Sequence, residues 1–363
     1  MATESCPTSH FAATYAAARA LFLERAATAG AAPRSYRHPL RGHDGEELAV
    51  DVAHVGPAAA PRALLVSSGC HGVEGFCGSG IQCALLADRE VLAAAAAAGI
   101  AIVFVHGLNP WGFSAWRRVT EENVDLNRNV VDFTRPLPAN PAYDNLASAL
   151  VPRRWPAPLA SLALLAFAAR HGRRALQQAL SGGQSQHPDG LFYSGRAPTW
   201  SQQVLRDVIR TAGDACERLA WIDLHSGLGP RGRGEAILAC DGDGASFARA
   251  RAWWGDVRDV ADGNSISARV DGPIWRIARQ ECPRAEYTGI VLEFGTLPAW
   301  QVLGALRADQ WLATYGRQAN AAKRARIRAR MRAAFFDERP DWQAAVLGQA
   351  RRAVLAAVRG LAV

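Results

Sequence analysis

The sequence lacks the long apolar runs and leader-like segments that mark membrane and secreted proteins. None of its apolar runs approaches the roughly 20 residues that a membrane-spanning helix needs. Met1 to Ser5 shows no basic start followed by an apolar core, so we expect no secretory signal. The 7 cysteines form no CxxC pair and have no regular spacing, which favours reduced thiols and a cytoplasmic location.

Lysine is almost absent: Lys323 is the only lysine, and the other 40 of the 41 lysine and arginine residues are arginines. Compositions rich in arginine and alanine are typical of GC-rich genomes, so the net charge of +8 is a weak guide to partners. It favours anionic over cationic substrates. The basic segment 317–332 could bind nucleic acid, but it has no interleaved aromatic residues for base stacking. We therefore do not expect nucleic acid as a partner.

Strand-like apolar runs alternate with helical patterns along the 363 residues, with no internal repeat and no clear linker. This order predicts an α/β fold with helices on both faces of a sheet, built as one domain over residues 1–363. The first helix is predicted at 8–29, and another is expected to begin at Gly78 and run to about residue 98. The predicted strands cover residues 46–55, 63–68, 100–106, 219–224, 235–240 and 287–294.

Two regions are predicted to be helical without intervening strands. Residues 150–185 read as a helical insertion or lid, and residues 299–363 as a helical C-terminal region. Residues 107–138 form a long predicted loop that carries Asn, Arg, Asp and Trp. Loops of this length inside compact domains are usually functional or disordered, and the apolar content of this one argues against disorder.

A turn with two potential metal ligands follows the predicted strand at 63–68. His71 and Glu74 are three residues apart and flanked by glycines, so both side chains can face one point. Imidazole nitrogen and carboxylate oxygen are suitable zinc ligands. An H-x-x-E pair alone is a weak signal, but five further segments follow it in order: Asn109 to Phe113, Trp116 to Arg118, Val124 to Asn129, Trp221 to Ser226, and Val291 to Thr296.

This ordered set resembles the zinc carboxypeptidase superfamily, which includes the succinylglutamate desuccinylase and aspartoacylase branch. The stretches Gly190 to Gly195 and Ala197 to Ser201 are similar to the DUF2817 family, a bacterial branch of metallopeptidase-like proteins. The resemblance runs from about Leu64 to Thr296. It implies a zinc carboxypeptidase-like fold, with a mixed twisted sheet between helices, and one zinc ion per chain.

The resemblance implies His71, Glu74 and His225 as the zinc ligands, and N,N,O ligation favours zinc over other divalent metals. Asp223 lies two residues before His225 on the same side of a strand, so it is a plausible outer partner. Glu293 sits in an apolar run, where a carboxylate is costly without a partner or a chemical role. It is the expected general base.

The resemblance also assigns roles to the long loop. Arg117 matches the arginine that polarises the scissile carbonyl, although Arg118 is adjacent and the register allows either. Asn127 and Arg128 match the pair that grips a substrate carboxylate, to which an arginine fork binds in a bidentate manner.

These residues predict a zinc-dependent hydrolase that cleaves an amide next to a free carboxylate, in a small molecule or a short peptide. An N-acyl amino acid deacylase of the aspartoacylase type is the alternative within enzymes. Two non-enzymatic alternatives are a binding protein that retains the metal and a nucleic-acid binder that uses the basic C-terminal helix. The sequence alone does not specify which substrate side chains are preferred or what the oligomeric state is.

Overall fold

The computed structural model describes residues 7–213, 215–240 and 244–363. Within these ranges it contains eight strands and thirteen α-helices. The N-terminal residues on which the absence of a secretory signal was predicted lie outside the described part of the chain, as does Cys6. The six described cysteines are all buried. Among the described residues, no helix is both long enough and apolar enough to cross a membrane.

The strands in chain order are β1 Arg34–Arg41, β2 Glu47–Val55, β3 Arg62–Ser68, β4 Ala101–His106, β5 Arg218–Arg231, β6 Gly234–Leu238, β7 Val257–Arg258 and β8 Glu286–Gly295. The α-helices are α1 Tyr15–Thr28, α2 Gly75–Ala87, α3 Arg89–Ala97, α4 Pro110–Ala115, α5 Pro141–Leu150, α6 Pro158–His171, α7 Arg173–Ser181, α8 Trp200–Gly213, α9 Gly244–Trp254, α10 Arg276–Glu281, α11 Ala299–Thr314, α12 Ala321–Phe335 and α13 Pro340–Ala362. Short 3₁₀ turns occupy Pro7–His10, Gly72–Glu74, Leu126–Arg128 and Gly316–Gln318.

The strands form one mixed sheet in the order β1-β2-β4-β3-β5-β8-β6-β7. The central strands β4, β3, β5 and β8 are parallel to one another, and antiparallel pairs join β2 to β4 and β6 to β8. Every residue of β4 is buried, as are residues 219–227 of β5. Burial on both faces is typical of a parallel sheet covered by helices. The predicted α/β fold with a mixed sheet is thereby confirmed, whereas the assignment to one domain stays a prediction.

Several predicted elements differ from the observed ones for identifiable local reasons. The predicted helix 78–98 begins at Gly75 and is divided at Asp88, whose carboxylate caps α3 by accepting from two backbone N–H groups. The predicted insertion helix is divided into α6 and α7 at Gly172, which has φ of 91°. The first α-helix begins at Tyr15, after Thr14 caps it.

Strand β1 was missed because its sequence does not alternate between apolar and polar residues, and nearly all of it is exposed. It pairs with β2, which therefore lies inside the sheet. The long loop contains the short helix α4, for which Asn109 supplies the N-cap. The sheet order brings the carboxyl ends of β3, β5 and β8 to one edge, where ligands collect in α/β folds.

Candidate metal centre

The first candidate ligands lie on the turn that follows β3. A 3₁₀ turn over Gly72–Glu74 begins directly after His71. Gly72 allows this turn to pass close to α4, since a Cβ at that position would lie 2.1 Å from the carbonyl carbon of Gly112. The turn brings His71 Nδ1 to 2.8 Å from Glu74 Oε1.

His225 completes the group from the neighbouring strand β5. Its Nδ1 lies 2.9 Å from Glu74 Oε2 and 3.2 Å from His71 Nδ1. One ligand atom from each of the three residues falls within 4.8 Å of the others. All three side chains are at most 3% exposed. Two imidazole nitrogens and a carboxylate therefore face one enclosed point.

The second ring nitrogen of each histidine, Nε2, contacts a carboxylate. His71 Nε2 lies 3.2 Å from Asp125 Oδ1, and His225 Nε2 lies 2.5 Å from Asp223 Oδ2. When Nε2–H is donated to a carboxylate, the imidazole keeps a lone pair on Nδ1. Both histidines are thus oriented as carboxylate-supported metal ligands are.

A buried hydrogen-bond relay fixes Asp223 in turn. Ser67 lies opposite Asp223 in the pairing of β3 with β5, and its Oγ donates to Asp223 Oδ1 at 2.6 Å. The indole Nε1–H of Trp221 donates to Ser67 Oγ at 2.7 Å. Each of these residues is at most 2% exposed. The relay runs from Trp221 through Ser67 and Asp223 to the ring of His225, and it restricts how that ring can rotate.

The balance of charge suits the centre to a cation. Burial alone would raise the pKa of Glu74, but the two histidines hold it well below its usual range. Burial alone would lower the pKa of His225, but the neighbouring carboxylates raise it well above its usual value. An N,N,O donor set with an enclosing shell of carboxylates fits a zinc ion. The surrounding carboxylates, each at most 7% exposed, are Glu74, Asp125, Asp223 and Glu293.

A second group of potential ligands shares His225. Cys70, Asp223 and His225 also have ligand atoms within 4.8 Å of one another. His225 Nε2 and Asp223 already bond to each other, however, and burial holds the pKa of the Cys70 thiol well above its usual value. Because thiolates rather than thiols bind metals, the group that contains Glu74 is the stronger candidate.

Glu293 lies beside this group because of the register between β5 and β8. His225 and Glu293 are direct partners in the parallel ladder, so their side chains project from the same face of the sheet. The backbone N–H of Leu228 donates to Glu293 Oε1 at 2.9 Å. Burial and the nearby charge of Glu74 raise the pKa of Glu293 to about 7. A carboxyl group with that pKa can accept and release a proton near neutral pH.

The two neighbouring arginines of the long loop point in different directions. Arg118 donates from Nη1 to Glu74 Oε1 at 3.1 Å and from Nε to Asp125 Oδ2 at 3.0 Å. Arg117 instead forms an ion pair of 3.0 Å with Asp309 of α11. Arg118 is therefore the arginine that contacts the metal group, and the role expected of Arg117 passes to Arg118 as a proposal.

Asn127 and Arg128 form hydrogen bonds with two distant segments of the chain. Arg128 donates from Nε, at 3.0 Å, and from Nη2 to the carbonyl oxygen of Ser181, the last residue of α7. Asn127 Oδ1 accepts from the backbone N–H of Ile274 at 3.0 Å. The arginine is only 4% exposed. The Arg128 guanidinium, which was expected to bind a substrate carboxylate, thus binds the end of the helical insertion.

Phe192 and Asp125 were not assigned roles from the sequence. The ring centre of Phe192 lies 5.3 Å from the Arg118 guanidinium carbon and 5.6 Å from that of Arg128, so one aromatic ring contacts both cations. No sequence pattern marks Phe192 as an arginine partner. Asp125, in contrast, lies two residues before Asn127 in the segment Val124 to Asn129. Its place in that recognised motif could have marked it as a site residue.

The mixed sheet, with two histidines and a glutamate buried at its carboxyl edge, defines a protein with the zinc carboxypeptidase-like α/β fold. Bovine thrombin-activatable fibrinolysis inhibitor, solved in complex with tick carboxypeptidase inhibitor, aligns with a TM-score of 0.51 and 11% identity. The alignment covers 97% of this chain and 97% of that one. At this identity the likeness concerns the fold alone.

Two further solved structures align more weakly. Carboxypeptidase A from Helicoverpa armigera has a TM-score of 0.45 and 12% identity, over 88% of this chain and 73% of that chain. A succinylglutamate desuccinylase from a Silicibacter species has a TM-score of 0.38 and 16% identity, over 79% of this chain and 67% of that chain. No curated protein matches the chain.

The chain belongs to the DUF2817 family, whose members are described as proteins of unknown function. The family model matches residues 11–349, which is most of the chain. This membership confirms the DUF2817 resemblance that was inferred from residues 190–195 and 197–201.

The relay behind His225 generates a prediction about metal affinity. We expect Ser67→Ala to weaken zinc binding by less than the roughly 10- to 100-fold typical for loss of a ligating histidine's own outer partner, since Ser67 acts on His225 only through Asp223. The dissociation constant can be measured by competition with a chromophoric chelator.

The matched control is Ser68→Ala. Ser68 is also fully buried on β3, but its hydroxyl bonds Gln82 and has no link to His225. Equal zinc affinity in the two variants would contradict the positioning role of Ser67.

Proposed function

We propose that the chain is a zinc-dependent hydrolase that cleaves an amide bond next to a free carboxylate. The observation that carries the proposal is the buried group of His71, Glu74 and His225, in which a carboxylate orients each histidine from behind. Glu293 and Arg118 lie beside this group. When bound there, a zinc ion would supply Lewis acidity and an activated water at neutral pH.

Glu293 is the proposed general base. Its Oε1 accepts from the Leu228 N–H, and Oε2 has no hydrogen-bond partner among the described residues. Oε2 would take the proton from the attacking water and deliver it to the leaving amine. The raised pKa of about 7 supports both transfers near neutral pH.

Arg118 is the proposed partner of the oxygen that gains charge as the carbonyl is attacked. Its guanidinium contacts both Glu74 and Asp125, so it is oriented before substrate arrives. The aromatic face of Phe192 limits its movement further. Preorganised positive charge at the developing oxyanion is usually a large catalytic contribution.

Arg128 and Asn127 are proposed to receive the substrate carboxylate, and this requires a local exchange of partners. The Ser181 carbonyl oxygen now accepts from two nitrogens of the Arg128 fork, as one oxygen of a carboxylate would. The incoming carboxylate would have to displace the end of α7 from Arg128. A carboxylate carries a negative charge that the Ser181 carbonyl lacks, so its bonds to the guanidinium are stronger, which favours the exchange.

An N-acyl amino acid deacylase is the second candidate. The end of the helical insertion lies directly against Arg128, and Asn140 ties that same end to α5 by donating to the Ala179 and Gly183 carbonyl oxygens. A wall so close to the carboxylate subsite favours small substrates over long peptides. The bacterial origin and cytoplasmic location of the enzyme remain predictions.

Metal content and turnover together test the ligand and base assignments. We expect His71→Ala to lose both zinc and activity, because it removes one of three ligands. We expect Glu293→Gln to keep near-stoichiometric zinc and lose activity by at least about a hundredfold, since it removes the proton acceptor. Zinc per chain and turnover of a panel of N-acyl amino acids and short peptides would be measured.

Glu286→Gln is the control for Glu293→Gln. Glu286 begins the same strand, is exposed, and lies far along β8 from the metal group. Full activity of Glu293→Gln, or the absence of zinc from the native chain, would refute the proposed chemistry.

The arginine assignment predicts different outcomes for adjacent residues. Arg118→Gln should lower kcat by about a hundredfold or more at saturating zinc, as for the loss of a preorganised oxyanion donor. Arg117→Gln breaks only the side-chain contacts with Asp309, Gln310 and Asn123, so kcat of the folded enzyme should change little. Thermal unfolding would separate stability effects from turnover, and a larger fall in kcat for Arg117→Gln would reverse the assignment.

A further inference from the structure

A cavity of about 750 Å³ lies at the edge of the sheet, away from the metal group. Its floor includes Ile290 and Leu292 of β8, and its walls come from β6, β7, α9 and α13. Side chains alternate along a strand, so Leu292 projects from the sheet face opposite to that of Glu293. None of the proposed metal ligands lines this cavity.

The walls combine an apolar surface with two indole rings. Trp253 and Trp254 end α9 with ring centres 5.3 Å apart, in an edge-to-face arrangement. The Nε1–H of Trp254 donates to the carbonyl oxygen of Ala353 at 3.0 Å, which ties α9 to α13. Ala353 and Ala356 also face the cavity, and their small side chains leave room beside the rings. The cavity therefore has a preformed apolar wall.

Three arginines at the mouth have no described partner for their guanidinium groups. Arg233 comes from the turn before β6, and Arg352 and Arg359 lie about two turns apart on α13. No hydrogen bond or ion pair joins any of these three side chains to the described part of the chain. Since Arg352 and Arg359 are seven residues apart, they project from one helix face about 10 Å apart along its axis.

Three of the other polar groups that line the cavity are already engaged. Asp256 forms an ion pair of 3.0 Å with Arg258. Glu235 Oε1 accepts from the backbone N–H of Ile266 at 2.9 Å. The Gln349 amide is bonded to backbone groups at Gly232 and Gly234. Apart from the Asn264 amide and the second oxygen of Glu235, the cationic arginines supply most of the hydrogen-bonding capacity that remains open at the cavity.

We propose that this cavity is a second ligand site, which binds a small organic anion with a flat apolar body. The body would lie against Trp253 and the alanine face of α13, and the anionic group would bind Arg352 and Arg359. Arginine suits this role because its planar fork pairs with carboxylates and stacks on flat groups. A volume of about 750 Å³ lies within the range of small-molecule sites. The proposal does not depend on the reaction at the metal centre.

The probe is 1-naphthoate, titrated calorimetrically into the full-length protein. We expect saturable binding of one equivalent that persists after a chelator has removed metal, because the metal group does not line the cavity. Arg352→Gln combined with Arg359→Gln should weaken binding by at least about tenfold, since two charge-assisted contacts are lost. Ala356→Leu, which fills the cavity without changing charge, should weaken it similarly.

The matched control combines Arg326→Gln with Arg330→Gln. These are exposed arginines of α12 that lack described hydrogen-bond partners and lie outside the cavity, and the pair removes the same charge. It should leave the affinity for 1-naphthoate unchanged. Thermal unfolding would verify that each variant is folded.

Three outcomes would overturn the proposal: no saturable binding at low millimolar 1-naphthoate, equal weakening by the two arginine pairs, or equal affinity for the neutral 1-naphthylmethanol. Loss of binding on metal removal would place the anion at the metal centre instead, and would count equally against a second site. Inactivity of the enzyme on every amide tested would leave this result unaffected.

Discussion

Parallel pairing places Ser67 opposite Asp223, and His225 opposite Glu293. The assignments of His225, of its partner Asp223 and of Glu293 depend on this register. A slip of one residue between β5 and its neighbours would send His225 to the other sheet face, because side chains alternate along a strand. The buried, apolar character of β3, β5 and β8 resists such a slip, since it would expose or misplace a whole row of core side chains.

The second constraint is charge. Four carboxylates lie within one buried region, and an isolated buried charge is costly. They are stabilised by two histidines, by Arg118 and by backbone donors such as the Leu228 N–H. A divalent cation at the point that the Nδ1 atoms face would add to this compensation. The region is therefore arranged for a cation more clearly than for any neutral occupant.

The walls of the site show how the same residue types can serve binding or packing. Arg128 is buried and bonded to the end of α7, while Phe192 lies against both Arg118 and Arg128. Arginine–carbonyl contacts of this kind hold an insertion in place and can also be exchanged for a stronger anionic partner. Access to the proposed carboxylate subsite would then depend on how far the end of α7 can move.

Local sequence determined the strand that leads to His71 and Glu74, the apolar run that carries Glu293, and the alternation that predicts an α/β sheet. These are short-range properties, because strand propensity and turn chemistry depend on neighbouring residues. Tertiary structure alone decided which of Arg117 and Arg118 meets Glu74. In an irregular loop, either of two adjacent side chains can face the metal group. Here Asp309 of α11 forms an ion pair with Arg117, and this pair directs Arg117 away from the metal group. Tertiary structure also decided the contact of Phe192 with two arginines and the cavity beside α13, because these join segments far apart in the chain, whose approach is set by packing.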